Sequence, residues 1–213
     1  MGSTCPKRMG CLYQFLFSPQ PTLRDHTDAA LAASGAGEEP EPYVGVQVRN
    51  RLWTLEASKL ALGPGESKPR NNARVIECMD LWVPAGVRVF FTADDDKLYP
   101  LARDRWGGRL RTHTGGVYMP WSRGGKVDAA SLGKEDEAAV IKAFVDWFAL
   151  QGASRIIYTH QSSFGKTAAE SAETPNVDVN FTRCAQAEAD GVVWGEAQSV
   201  TYDVSKVPGA RAV

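Results

Sequence analysis

The stretch IIYTHQSSFGKTAAE, residues 156–170, indicates a buried strand that runs into a helix through a turn rich in hydroxyl groups. A helix is predicted directly before it, in GKEDEAAVIKAFVDWFALQG at 133–152, with acidic residues in its first turn and Gly152 able to cap its end. Apolar residues at helical spacing predict the face that this helix buries: Val140, Ile141, Phe144, Val145 and Phe148. The chain therefore passes from helix to strand to helix around this stretch.

Two further strands lie upstream, and both are almost continuously apolar. They are YVGVQVR at 43–49 and GVRVFFTA at 86–93, a composition typical of strands that are covered on both faces. Helices are predicted at 72–85 and 94–106, and a short strand is compatible with 109–113. The alternation of strands and helices predicts an α/β fold, a Rossmann-like parallel sheet with helices on both faces. Such sheets bind ligands at the carboxyl ends of their strands.

One domain accounts for most of the chain. We expect a helical and loop lead-in over 1–42, the Rossmann-like domain over 43–185 and a weakly structured tail over 186–213, with short extended pieces at 177–181 and 191–195. The 213 residues carry a net charge of −1, which suits a globular protein and argues against a dedicated nucleic-acid binder. The sequence has no apolar run of the roughly 18 residues that span a bilayer, and we identify no targeting segment.

The cysteines leave two interpretations open. Cys5, Cys11, Cys78 and Cys184 lack the close spacing of a metal site. They are either free or buried thiols, or they form one or two disulfides in a protein of the secretory pathway. The spacing alone does not determine the pairing.

Polar side chains follow each of the three predicted strands. Arg49 ends the first, and its guanidinium is always charged and can donate two bonds to a phosphate. Asp94 follows the second and can accept hydrogen bonds from a base, a ribose or a metal. Ser162 and Ser163 follow the third, at a helix start whose amides favour an anion. Each also has a simpler interpretation, as a surface arginine or as helix caps, but together they predict a site for a nucleotide diphosphate.

The GKT sequence at 165–167 is not a phosphate-binding P-loop. The motif GxxxxGK[ST] requires a glycine five residues before Gly165, and His160 occupies that position. We therefore expect Lys166 to point to solvent, and the phosphate contacts to come from the serines and the helix-start amides.

In order and spacing these segments resemble the donor-binding half of GDP-fucose-dependent fucosyltransferases, the group of plant xyloglucan, protein O-linked and core α1,6 enzymes. The similarity covers most of residues 9–172 and lies in CLYQFLFSPQP, YVGVQVRNR, VRVFFTADDDKLYPLARDRWGGRLRTH and AAVIKAFVDWFALQGASRIIYTHQSSFGKTAAE. It implies the C-terminal domain of a GT-B fold, GDP-fucose as donor, a glycan or glycoprotein acceptor, and no metal or other cofactor. It also implies the lumen of the Golgi or endoplasmic reticulum.

The resemblance implies a set of donor-binding residues: Gln47, Arg49, Asp94, Ser162, Ser163 and Phe164. Arg49 would bind the diphosphate, Gln47 stands where the family has a histidine, and Asp94 would contact guanine. The turn 162–164 would hold the phosphates through its hydroxyls and amides. An aspartate-led helical segment of the family is matched at 146–148.

Three functions stay open at this point. The chain is a fucosyltransferase-like enzyme, a non-catalytic nucleotide-binding fragment or pseudoenzyme, or a different α/β nucleotide enzyme of a kinase-like kind, which the failed P-loop spacing disfavours. No catalytic residue is assigned. His113 and His160 can act as a base by their chemistry, although a histidine near a strand end is more often structural. The acceptor-binding half of the family is not in the sequence, which suggests a C-terminal half or a fragment.

Overall fold

A computed structural model describes residues 41–51, 53, 68–113, 134–172, 174–180 and 182–184, together with single helical positions between 21 and 32. Within these residues, five parallel strands form one sheet. They are β1 (Tyr43–Val48), β2 (Arg88–Ala93), β3 (Leu110–Arg111), β4 (Arg155–Thr159) and β5 (Asn176–Val179). The order is β3-β2-β1-β4-β5, which confirms the predicted Rossmann-like α/β fold. The order reverses between β1 and β4, so the ligand crevice of such a sheet opens at the carboxyl ends of these two strands.

Helices cover both faces of the sheet. They are α1 (Lys68–Asp80), α2 (Leu98–Trp106), α3 (Lys134–Gln151) and α4 (Ser163–Ala172), with a 3-10 turn at Gly107–Arg109. Helices α1 and α2 pack on the face that carries Val46, Val48 and Phe91. Helices α3 and α4 pack on the face that carries Phe90 and Ile156. Both faces of the central strands are therefore covered by helices, as the continuous hydrophobic runs predicted.

Two helices have different bounds from those predicted. Helix α1 begins at Lys68, before the predicted start at 72, and ends at Asp80 instead of running to 85. Pro84 explains the early end, because proline has no N–H to continue the ladder and disfavours a helical conformation in the residue before it. Gly86 then adopts a positive φ of 76° and leads the chain into β2.

Helix α2 begins at Leu98, so the predicted helical start at 94 is wrong. Asp95 holds the preceding turn, because its carbonyl accepts from the Leu98 amide at 3.0 Å and its Oδ1 accepts from the Lys97 amide at 3.1 Å. The acidic residues 94–96 therefore lie in the loop after β2 and not in the first turn of the helix.

Helix α3 matches its predicted range, and its predicted apolar face is confirmed in part. Val145 is buried, whereas Phe144 is 38% exposed and the other three predicted residues are half-buried. The buried side carries Lys142 and Asp146, which are 4% and 0% exposed. Apolar periodicity cannot find such a pair, because two charges that satisfy each other in the core have the same sequence pattern as two charges at the surface.

Cys78 on α1 and Cys184 after β5 form a disulfide that joins positions 106 residues apart, with their Cα atoms 5.5 Å apart. Both side chains are fully buried in the core under α1 and α2. The disulfide interpretation is therefore confirmed for this pair, while Cys5 and Cys11 lie outside the described residues.

The predicted domain boundaries stay predictions. Most of the lead-in over 1–42, the tail over 186–213 and the extended piece at 191–195 lie outside the described residues. Strand β5 lies close to the extended piece predicted at 177–181.

Candidate functional site at the carboxyl edge of the sheet

Arg49 and Asp94 meet at the carboxyl ends of β1 and β2. The register of these strands places Val48 opposite Ala93, so the two residues that follow are neighbours. Arg49 Nε lies 3.2 Å from Asp94 Oδ2, and the amide of Asn50 donates to Asp94 Oδ1 at 2.7 Å. Both carboxylate oxygens of Asp94 are therefore engaged within the loop that carries Arg49.

Arg49 also spans the point where the strand order reverses. Its amide donates to Thr159 Oγ1, at the end of β4, at 2.7 Å. The side chain of Arg49 is 31% exposed. Within the described residues, Arg49 pairs with Asp94 through its Nε atom. The two terminal nitrogens of the guanidinium can therefore take a ligand, in the fork arrangement that suits a phosphate.

The carboxylate of Asp94 is largely buried. Burial raises the pKa of its carboxyl, while the hydrogen bond from the Asn50 amide and the charge of Arg49 oppose that rise. The side chain is 12% exposed. In this structure Asp94 orients Arg49, and its predicted contact with guanine stays a prediction.

A buried amide network holds the loops around this pair, and sequence reasoning missed it. Asn50 Nδ2 donates to Asn72 Oδ1 at 3.0 Å and to Asp95 Oδ2 at 2.7 Å. Asn50 and Asn72 are 3% and 4% exposed. The network ties the loop after β1 to α1 and to the loop after β2. A polar residue directly after a buried strand is the one sequence signal that could have pointed to Asn50.

The turn between β4 and α4 separates the two predicted serines. Ser162 is 2% exposed, and its Oγ accepts from the Gly165 amide at 3.4 Å, so it caps the helix. Ser163 is exposed at the first position of α4, and Phe164 is half-buried against the α3 and α4 core. Gln161 has a positive φ of 62° and turns the chain from the strand into the helix. The Ser163 hydroxyl and the first helical amides are therefore the groups of this turn that remain available to an anion.

Gly165 brings the start of α4 onto the sheet. A Cβ at this position would lie 2.4 Å from Tyr158 Cβ and 2.8 Å from Gln47 Oε1, so no larger residue fits. Gln47 is 1% exposed and lies beneath the first turn of α4. The structure thus places this predicted donor-binding residue behind the β4–α4 turn instead of at its surface. Lys166 is exposed and 3.8 Å from Glu170, which confirms that it points to solvent.

A charged cluster lies beneath the carboxyl edge, between β2 and α3. Asp146 Oδ2 accepts from Thr92 Oγ1 at 2.7 Å and from Lys142 Nζ at 2.9 Å. Lys142 Nζ also donates to the carbonyl of His113 at 2.9 Å, and His113 Nδ1 lies 3.8 Å from Asp146 Oδ1. Burial raises the pKa of the Asp146 carboxyl, and Lys142 opposes that rise. The i, i+4 spacing of Lys142 and Asp146 was visible in the sequence, but not their burial.

A cavity of about 530 Å³ opens beside this cluster. Helix α2 forms one wall, the residues that follow β3 form another, and Lys142 of α3 lies between them. Tyr99 of α2 connects the cavity to the crevice, because its hydroxyl lies 3.3 Å from the amide and 3.4 Å from the carbonyl of Ala93. Sequence reasoning did not predict this cavity.

His160, a candidate base by its chemistry, pairs with Asp178 at the ends of β4 and β5. Its Nδ1 lies 2.9 Å and 3.1 Å from the two carboxylate oxygens, and the two side chains are 39% and 36% exposed. A carboxylate that pairs with Nδ1 fixes the orientation of the imidazole ring and leaves Nε2 as the ring nitrogen that can contact a ligand. Because no described contact links His160 to Arg49 or Asp94, its catalytic role stays a prediction.

No protein-family model and no curated protein matches the chain. In the part of the chain that the structure describes, none of the helices is long and apolar enough to cross a membrane. The same part contains no group of three or more His, Cys, Asp or Glu side chains that could hold a metal ion.

Proposed function

We propose that this chain is the donor-binding domain of a glycosyltransferase, a fucosyltransferase that uses GDP-fucose and transfers fucose to a glycan or protein hydroxyl without a metal. The order of the sequence segments supports the donor, through their resemblance to GDP-fucose-dependent enzymes. The buried disulfide between Cys78 and Cys184 supports an oxidising compartment, such as the Golgi or endoplasmic reticulum lumen.

One observation carries the proposal: Arg49 stands at the crevice with its guanidinium held by Asp94 and its terminal nitrogens available. The β4–α4 turn adds an exposed Ser163 and helix-start amides on the other side of the crevice. A diphosphate placed there receives a guanidinium and a helix N-terminus at once.

The same groups suit the departure of the donor's diphosphate. The acceptor oxygen forms a bond to the anomeric carbon and releases its proton to solvent, while the bond from that carbon to the phosphate oxygen breaks and GDP leaves with additional negative charge. Arg49 and the amides of the turn are oriented before the reaction, so they stabilise that charge without having to rearrange.

Calorimetric titration with GDP in EDTA tests the proposal. We expect binding that EDTA leaves intact, and we expect Arg49→Ala to weaken it by about 1.5–3 kcal/mol, the range for hydrogen bonds to charged groups. Arg51→Ala is the matched control, because Arg51 is exposed two residues further along and belongs to no described contact of the crevice. Unchanged affinity in Arg49→Ala would place the site elsewhere. If the chain binds GDP but does not turn over GDP-fucose when acceptors are supplied, the result would favour the non-catalytic nucleotide-binding module.

A further inference from the structure

We infer that the cavity between α2, the end of β3 and α3 binds the guanine base of the nucleotide, and that Asp94 does not recognise the base. This inference rests on the proposed function, since it needs a nucleoside diphosphate in the crevice. It goes beyond that function because it assigns base recognition to residues outside the predicted donor-binding set.

The position of the cavity fits the length of a nucleotide. Arg49 follows β1 and Thr112 follows β3, so they are two strand spacings apart, about 10 Å along the carboxyl edge. That span is comparable to the distance between the phosphates and the base of an extended nucleotide. Tyr99 lines the cavity and contacts the backbone of Ala93, the residue directly before Asp94. A ligand held by Arg49 therefore reaches the cavity along the ends of adjacent strands.

Asp94 is poorly placed for direct base recognition in this structure. Its Oδ1 accepts the Asn50 amide and its Oδ2 contacts Arg49. A contact with guanine would have to compete with both interactions.

The lining of the cavity matches the two hydrogen-bonding edges of guanine. Guanine presents two adjacent acceptors, O6 and N7, which Arg and Lys side chains commonly bind, and it presents an amino donor at N2 on another edge. The lining supplies the cations Arg103 and Lys142 and the carboxylates Asp96 and Asp104. Adenine has an amino donor beside N7, so its donor would face the donors of Arg103 and Lys142 instead of an acceptor.

Lys142 is a preorganised donor. It is 4% exposed, and its described hydrogen bonds to Asp146 and the His113 carbonyl use two of its three N–H groups. Its Nζ lies 5.8 Å from the centre of the Tyr99 ring, another wall of the cavity. Thr112 adds a second unused group, because its Oγ1 is buried without a hydrogen-bond partner among the described residues. A buried polar atom of this kind is stabilised when a ligand bonds to it.

Calorimetry with four probes tests the inference: GDP, IDP, ADP and pyrophosphate, on the full chain. We expect the wild-type protein to bind GDP at least tenfold more tightly than ADP or pyrophosphate, with IDP between GDP and ADP because it lacks the 2-amino group. Arg103→Ala and Thr112→Val should each weaken GDP by about threefold to tenfold, the effect of one lost hydrogen bond, and leave pyrophosphate unchanged. Lys97→Ala is the matched control, an exposed cation at the start of α2 that does not line the cavity.

The outcomes separate the two proposals. Equal wild-type affinity for GDP and ADP, or equal losses of GDP and pyrophosphate binding in Arg103→Ala, would overturn the base assignment while leaving the diphosphate site intact. Absence of binding to both GDP and pyrophosphate would overturn the proposed function itself. Because Arg103 is exposed, we expect Arg103→Ala to fold. This variant therefore keeps the test decisive even if Thr112→Val fails to fold.

Discussion

At the scale of single residues, the pair Arg49 and Asp94 forms the centre of the candidate site. The carboxylate accepts from the loop backbone and from Arg49, so it holds the guanidinium at the edge of the crevice. The sequence predicted that both residues matter, since each directly follows a buried strand. It could not predict that they bind each other, because that follows from the register of β1 with β2.

Asp94→Asn distinguishes an orienting role from direct recognition of the base. Asparagine keeps an oxygen for the Asn50 amide but loses the charge that orients Arg49. We expect the affinities for GDP and for pyrophosphate to fall by the same factor in a calorimetric titration. A loss confined to GDP would show instead that Asp94 contacts the base.

The two serines of the β4–α4 turn should behave differently from each other. Ser162→Ala removes a helix cap and should lower the free energy of unfolding by about 1 kcal/mol, measured by chemical denaturation. Ser163→Ala should leave stability nearly unchanged and weaken GDP binding, because its hydroxyl is exposed at the helix start.

Lys166→Ala is the control for this pair of serine variants. Lys166 is exposed, so its loss should change GDP affinity by less than about 0.5 kcal/mol, as for an ordinary surface substitution. Loss of diphosphate binding in this variant would restore the P-loop interpretation.

At the scale of secondary-structure elements, α3 is joined to β2 by buried charge as well as by apolar packing. Asp146 bonds to Thr92 on the strand and to Lys142 on its own helix, and both charged side chains are almost fully buried. Removing one member of such a pair lowers the stability of the fold strongly, because the remaining charge stays buried without its partner.

A double-mutant cycle measures this coupling. Asp146→Asn should lower the free energy of unfolding by about 3–5 kcal/mol, the usual cost of leaving a buried charge unpaired. Adding Lys142→Met should recover part of that loss, because methionine removes the stranded charge and keeps most of the volume. Denaturant titration of both single variants and the double variant gives the interaction energy. Additive losses would mean that the two side chains are not coupled.

The elements also show where sequence patterns succeed and fail. The central strands are predicted well, because a continuous apolar run bounded by turn residues is typical of a strand in a sheet covered on both faces. The bounds of α1 and α2 were wrong where Pro84 and the side chain of Asp95 stop or delay the helix. The cavity and the buried Lys142 were not predicted, since both arise from residues that meet only when α2, α3 and β3 are assembled.

At the scale of the whole molecule, one covalent bond closes a long loop of the chain. The Cys78–Cys184 disulfide joins α1 to the segment after β5, across 106 residues of sequence. A cross-link over such a length constrains the unfolded chain strongly in the chain-entropy account.

Reduction of this disulfide should lower the free energy of unfolding by about 2–5 kcal/mol. The measurement is a denaturant titration with and without a reductant, in a Cys5→Ser/Cys11→Ser background where Cys78 and Cys184 are the remaining cysteines. A Cys78→Ala/Cys184→Ala variant of that background should be insensitive to the reductant. Equal stability of the oxidised and reduced forms would mean that the bond does not contribute.

We propose that a nucleoside diphosphate lies across the carboxyl ends of β1 and β4, and a crystal structure of the chain with GDP in EDTA would show its position. We expect phosphate oxygens within hydrogen-bonding distance of the Arg49 guanidinium and of the Ser163 hydroxyl or the first amides of α4. Phosphates bound beside Lys166, or at a site remote from Arg49, would contradict it.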